Sequence, residues 1–244
     1  MTTRQKTRRV LAIATTALFP VTLYYFSPVL SLEGLAAGVV TGSLVMFGLL
    51  FVAALVLGRA FCAWVCPAGA VQELVLRFRG RAVRRLRIRW IKWVIWAPWV
   101  AALVFVAVRA HGVHAVSLTW MTWNGISVTD LASLIALIAV AGLMAGLALA
   151  IGRRGACHTV CWMAPFMILA RKLRNLFGWP SLRLASEKQA CHSCGACTRS
   201  CPMSIDVQAL VNAEHPESSD CILCGSCGDG CPHGAIRLTF RADG

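Results

Sequence analysis

Two copies of one cysteine run constrain this chain more than any other feature. Cys191, Cys194, Cys197 and Cys201 stand before Pro202, and Cys221, Cys224, Cys227 and Cys231 before Pro232. Both read Cys-x2-Cys-x2-Cys-x3-Cys-Pro, the spacing of bacterial two-cluster [4Fe–4S] loops, where the fourth cysteine of each run serves the other cluster. Three close cysteines on a tight loop cover one side of a cubane, and a distant fourth closes it. The expected ligand sets are therefore Cys191, Cys194, Cys197 with Cys231, and Cys221, Cys224, Cys227 with Cys201. Zinc sites rarely use this spacing, and disulfides would need an oxidising compartment.

The rest of the chain is of another kind. Hydrophobic residues make up 58% of the 244 and charged residues only 14%, too apolar for an ordinary soluble domain. Charge divides sharply along the chain. Residues 1–190 carry a balance of +17 and residues 191–244 one of −3. Long apolar runs in the basic part argue against a nucleic-acid binder and for a membrane domain joined to a mildly acidic module.

Four stretches are near the roughly 20 apolar residues needed to cross a bilayer: Val10–Leu30, Leu35–Leu57, Trp90–Val108 and Leu131–Ile151. A four-residue turn at Ser31–Gly34 would join the first two. Lysine and arginine collect before the first, between the second and third, and after the fourth, with only Arg109 on the other side. The positive-inside rule then places both termini in the cytoplasm, for which a bacterial inner membrane is the expected setting. Thr7-Arg8-Arg9-Val10 faintly resembles an export signal. Its apolar run is too long for one, so an uncleaved anchor is expected.

The membrane part reads as two parallel helix-pair repeats, offset by 95 residues. Gly58-Arg59 precedes Cys62 and Cys66, with Pro67 next; Gly152-Arg153 precedes Cys157 and Cys161. Spacing of i, i+4 puts each pair on one helical face. Four thiols at matching places suit a third iron–sulfur or metal site, with a redox dithiol or inert packing as the alternatives. An amphipathic stretch follows each pair: Val71, Leu74, Val75 and Phe78 beside Arg77 and Arg79, then Phe166, Leu169, Leu173 and Leu176 beside Arg171, Lys172 and Arg174. Both are expected in the cytoplasmic interface, against anionic headgroups.

At these residues the chain resembles the NapH-type polytopic membrane ferredoxins. Their hallmarks are four spans, two cytoplasmic Cys-x3-Cys-Pro motifs and a C-terminal two-cluster ferredoxin module. The first motif is present as Cys62–Cys66 with Pro67; in the second, Cys161 is followed by Trp162, and the nearest proline is Pro165. The resemblance implies membrane electron transfer, typically quinol oxidation feeding a partner reductase. The expected architecture is an all-α membrane domain of four transmembrane helices over residues 1–180. A small α+β two-cluster ferredoxin domain follows over 181–244.

No phosphate-cradling loop follows a strand, and no covalent-haem motif is present. Redox chemistry therefore rests on clusters and on partner redox subunits rather than on a catalytic residue, so the chain is read as a subunit of an oxidoreductase complex. A quinone site needs an apolar pocket with a few polar groups. Candidates are Arg59, Trp64, His158 and Trp162 at the inner face, and His111, His114, Trp120, Met121 and Trp123 at the outer, where an aromatic belt also explains the tryptophans. Three roles stay open: electron transfer from quinol to a partner enzyme, electron entry from a soluble donor docking on the acidic module, and redox maturation of a metalloenzyme.

Overall fold

The structure is a computed structural model and describes residues 2–75, 82–83, 86–110, 112–214 and 217–242. Helices dominate. In the first half run α1 (Thr3–Ala17), α2 (Phe19–Thr22) with a 3-10 turn to Phe26, α3 (Pro28–Ala36), strand β1 (Val39–Thr41), α4 (Gly42–Leu57), α5 (Ala60–Trp64) and α6 (Pro67–Val75). Then come α7 (Ile91–Arg109), β2 (Ala115–Ser117), α8 (Leu131–Ile151), α9 (Gly155–Thr159) and α10 (Ala164–Phe177). The C-terminal part holds β3 (Ser181–Ser186), α11 (Ala196–Ser200), α12 (Val207–Asn212), α13 (Ser226–Asp229) and β4 (Ile236–Arg241).

Among the described residues, two helices are long and apolar enough to cross a membrane: Ile88–Arg109, in which a 3-10 turn leads into α7, and α8. At 22 and 21 residues they are about 33 and 31 Å long. Thr3–Ala17 with Phe19–Phe26 would make a third candidate, but it is bent by 60°. Pro20 sits in the first turn of α2, where its ring and missing N–H stop α1 from running on. The 16 residues of α4 span only about 24 Å. Length alone thus gives two or three spans where the sequence implies four.

The expected turn at Ser31–Gly34 is corrected. Those residues belong to α3, and the chain reverses later, at Ala37 and Gly38. Gly38 takes φ +70°, the left-handed conformation that glycine adopts without strain. β-branched Val39, Val40 and Thr41 then form β1, paired in parallel with β2. A strand therefore interrupts what reads as one apolar run from Leu35 to Leu57. The Thr41 side chain caps α4 through the Leu44 N–H, and Asp130 caps α8 through Ser133.

The helices after the cysteine pairs cross over: α6 packs against α8, and α10 against α4. Phe166 of α10 stacks on Phe47 of α4 at 5.7 Å and meets Trp96 and Trp99 edge-on. At the far end Trp179 donates to the Leu55 carbonyl (3.0 Å). The basic face of α10, expected against lipid headgroups, divides: Lys172 is exposed, as are Leu176 and Phe177 at the end of the helix. Its Arg171 and Arg174 are buried and turn toward the C-terminal module, because carboxylates wait there. Of the first amphipathic stretch, Arg77, Phe78 and Arg79 lie outside the described residues, as do Arg81, Arg84, Arg85 and His111.

That module pairs β3 with β4 in antiparallel register, Ser181 opposite Arg241 through Ser186 opposite Ile236. Its acids bind it to the basic scaffold. Asp220 is buried among Lys92 (2.8 Å), Arg89 (2.9 Å) and Arg59 (3.5 Å). Glu217 takes Arg171, Arg174 and Arg183 at 3.1, 3.1 and 3.3 Å, and Asp229 takes Arg4 at 3.4 Å. Burial alone would raise the Asp220 pKa, but Lys92 and Arg59 outweigh it and hold it at about 2. Replacing Asp220 with Asn would leave Lys92 and Arg59 buried without their counter-ion, a loss of about 3–5 kcal/mol. Limited proteolysis of Asp220→Asn in detergent should release the C-terminal module much faster than in the parent protein.

Candidate functional site

Each cysteine run folds into the same loop. Ser193 and Leu223 have φ +54° and +53°, Gly195 and Gly225 +69° and +74°. Gly195 and Gly225 then start α11 and α13, which carry Cys197 and Cys227. Turns of this kind aim successive N–H groups into a concavity that holds anions, iron–sulfur clusters among them.

The fourth cysteine of each run lies with the other run. Burial pushes Cys201 up to about 11, and the neighbouring thiols of Cys224 and Cys221 add to the rise. Cys227 is raised by burial, then by Cys224, Cys221 and Cys201. These four line one small apolar cavity with Met203, Ile222 and Leu223. Cys197 has Cys231 among its electrostatic neighbours. The Cys201 group is mostly buried, whereas Cys194 is exposed.

The buried group faces the helical scaffold that precedes the module. Trp64 Nε1 donates to the Leu223 carbonyl (3.4 Å), Gln5 Nε2 to that of Cys224 (3.1 Å), and Arg171 to that of Cys221 (3.2 Å). A Cβ at Gly58 would come within 2.8 Å of Leu223 Cδ1. Glycine there lets the cluster loop approach the end of α4.

The two Cys-x3-Cys turns match bond for bond. Cys62 N–H reaches the Arg59 carbonyl and Cys66 N–H that of Phe61; Cys157 N–H reaches Arg154 and Cys161 N–H reaches Ala156. Gly69 N–H donates to Cys66 Sγ at 3.4 Å, and Ala164 N–H does so for Cys161. Burial raises Cys62 and Cys66, and Cys161 to about 12. Each also has thiols of the other turn among its neighbours.

All four line a single cavity of about 500 Å³. It extends from the cysteines past Met144, Val140 and Ala136 of α8 to Met121, with Tyr24, Glu33 and Gln72 as polar groups. Gln72 is fully buried, donates to Cys157 Sγ (3.3 Å) and accepts from Ala156 N–H (3.0 Å). Behind the cysteines stand two buried cations, one from each half. Burial opposes the Arg59 charge, but Cys62 and Asp220 overcome it and raise its pKa; Glu73 and Cys157 do the same for Arg154.

The donor set suits thiolate-bound clusters in three respects. The ligands are all sulfur, the two guanidiniums offset an anionic centre, and both guanidinium Nε atoms lack a hydrogen-bond partner among the described residues. Among those residues no three Cys, His, Asp or Glu side chains converge on one metal ion. Such convergence is the wrong scale for a cubane, whose irons hold the sulfur ligands apart.

Of the polar groups proposed for a quinone, Trp162 lines the cavity, its Nε1 held by the Phe26 carbonyl (2.9 Å). Trp64, Arg59 and His158 instead belong to the junction with the C-terminal module. His158 is fully buried and pushed down to about 4 by burial, which Asp220 only partly opposes. Met121 reaches the cavity from the outer connection, whereas His114 and Trp123 are exposed. Tyr24, Glu33 and Gln72 escaped sequence reasoning, because Tyr24 and Glu33 sit in unremarkable apolar surroundings and Gln72 inside a stretch read as amphipathic.

Residues 39–85 match the family described as a 4Fe-4S binding domain, and residues 190–236 that described as a 4Fe-4S dicluster domain. No curated protein and no solved structure matches the chain. The first match contains Cys62 and Cys66, and the second all eight cysteines of the paired runs. The chain is thus similar to iron–sulfur proteins at both places where its cysteines gather, and carries two 4Fe–4S ferredoxin-type domains.

Proposed function

We propose that this protein is a membrane-bound iron–sulfur electron carrier that takes electrons from quinol and passes them to a partner redox enzyme. One observation carries the reading: a large apolar cavity has all four cysteines of the Cys-x3-Cys turns in its wall. A pocket of that size and lining suits a quinone ring and the start of its tail. Bound [4Fe–4S] clusters would supply one-electron transfer. Three centres are assigned: Cys62, Cys66, Cys157 and Cys161 at the cavity, Cys201, Cys221, Cys224 and Cys227 beneath it, and Cys191, Cys194, Cys197 and Cys231 at the exposed end.

Quinol gives up two electrons and two protons on becoming quinone. Glu33, exposed on the cavity wall, is the carboxylate that accepts protons there, and the Tyr24 hydroxyl and Gln72 amide orient the ring. Arg59 and Arg154 would offset part of the negative charge of cluster-bound thiolates, while the N–H groups of Gly69 and Ala164 bond Cys66 and Cys161. Hydrogen bonds of this kind set cluster potential. A partner would take electrons at the exposed face beside Cys194, near which the His192 and His233 rings meet at a tilt with centroids 4.1 Å apart.

The reverse flow, from a soluble donor on an acidic face, is less favoured. Glu217, Asp220 and Asp229 are already engaged by arginines and lysine of the same chain. For the membrane we read four crossings, counting the bent α1–α2 pair and the short α4 extended by β1, with both termini in the cytoplasm. A periplasm-dependent reporter fused after Gly244 should be inactive and a cytoplasmic one active; the opposite pattern would overturn the orientation.

Iron analysis separates the three-centre assignment from a two-centre one. Anaerobically purified protein should hold about 12 irons per chain, at four per cluster. Cys157→Ser should lower this to about 8 and abolish cluster reduction by quinol, while dithionite still reduces the remaining clusters. About 8 irons in the parent protein would empty the cavity site. Quinol reduction that survives in Cys157→Ser would remove the cavity from the electron path.

A further inference from the structure

A second groove, of about 320 Å³, has Glu73 and Leu74 of α6 in its wall. Segments far apart in sequence meet there: α1 brings Arg8 and Arg9, the turn after α8 brings Arg153, and the first cluster loop brings Arg199. We propose that this groove binds a phosphate group, and that its source is the headgroup of an anionic phospholipid.

Charge supports the phosphate. Among the described residues the lining holds one carboxylate, Glu73, which Arg8 (2.6 Å) and the more deeply buried Arg154 (2.7 Å) already hold, while Arg9 and Arg199 add positive charge beyond that group. The site therefore keeps a positive excess with its one acid satisfied. Arg199 donates one Nη to the Cys194 carbonyl (3.0 Å), and Arg153 donates to the Arg199 carbonyl (2.7 Å). These bonds fix the side chains, and each guanidinium has five N–H donors in a fork that matches phosphate oxygens.

Position supports the lipid. The apolar run of α1 begins directly after Arg8 and Arg9, with Val10 and Ile13 exposed. Arg153 lies two residues beyond the end of α8 at Ile151. Ala12 and Leu74 form an apolar wall beside the arginines, where acyl chains can leave the headgroup. Basic pockets at this level on a cytoplasmic face recognise anionic lipids. Because Arg199 comes from the cluster module and Arg9 and Arg153 from the scaffold, one bound lipid bridges the two parts next to Cys201. None of this depends on the quinone reading.

The test uses the full-length protein with its clusters, in nanodiscs of phosphatidylcholine with or without phosphatidylglycerol, and in phosphatidylcholine with added inorganic phosphate. Native mass spectrometry counts retained lipid, and loss of visible cluster absorbance on heating reports docking of the module. Phosphatidylglycerol should be retained and raise the thermal midpoint, and inorganic phosphate should do neither. Arg9→Gln with Arg199→Gln should weaken phosphatidylglycerol binding about thirtyfold, the loss of two arginines near an anionic surface, while Arg9→Lys with Arg199→Lys restores most of it. The same gain with inorganic phosphate alone would assign the groove to a free anion and overturn the lipid. An undiminished response in the Gln variant would show diffuse attraction to the bilayer, and no response in the parent protein would remove the site.

Discussion

Buried ion pairing between a basic scaffold and an acidic module holds this protein together. Desolvating a charge is costly, and the cost is offset only where partners and hydrogen bonds are close to complete. Asp220 meets that condition, with three cations around it and its own exposure at 1%. Glu217 repeats the arrangement with three arginines. The lopsided charge of the two parts is therefore a docking code within one chain, in which the positive charge of the scaffold seats the iron–sulfur module.

Arg59 links that interface to the cavity. One face of the guanidinium meets Asp220 and the Ser219 carbonyl; the other lies near the thiols of Cys62, Cys157 and Cys161. Arg154 occupies the matching place in the second half, bonding the Cys62 carbonyl at 2.6 Å and Glu73 at 2.7 Å. Each half thus supplies a cation to a cysteine pair of the other, and α6 and α10 exchange packing partners in the same sense. Neither cysteine turn has its full surroundings without its counterpart.

Much of the site was legible because cluster loops have rigid spacing. The paired runs could be read directly, and the Gly-Arg openings drew attention to Cys62, Cys66, Cys157 and Cys161. What escaped was set by distant contacts. Arg171 and Arg174 looked like headgroup ligands, since helical periodicity shows that a face is basic but not what it faces. Trp64 and His158 sit next to cysteines in sequence yet turn toward the other domain. The turn expected at Ser31–Gly34 failed for a local reason: Pro28 is a favourable first residue for a helix, and Gly38 offered a better place to reverse.

Gly58 has a kinetic meaning beyond packing. Electron tunnelling rates fall exponentially with the gap between donor and acceptor, so a single methyl group wedged between α4 and Leu223 would act on transfer speed far more than its small volume suggests. On the proposed route this hydrogen-for-methyl difference sits where the end of α4 meets the cluster loop. The absence of a side chain there works as a spacer of minimum thickness between the scaffold and the cluster loop.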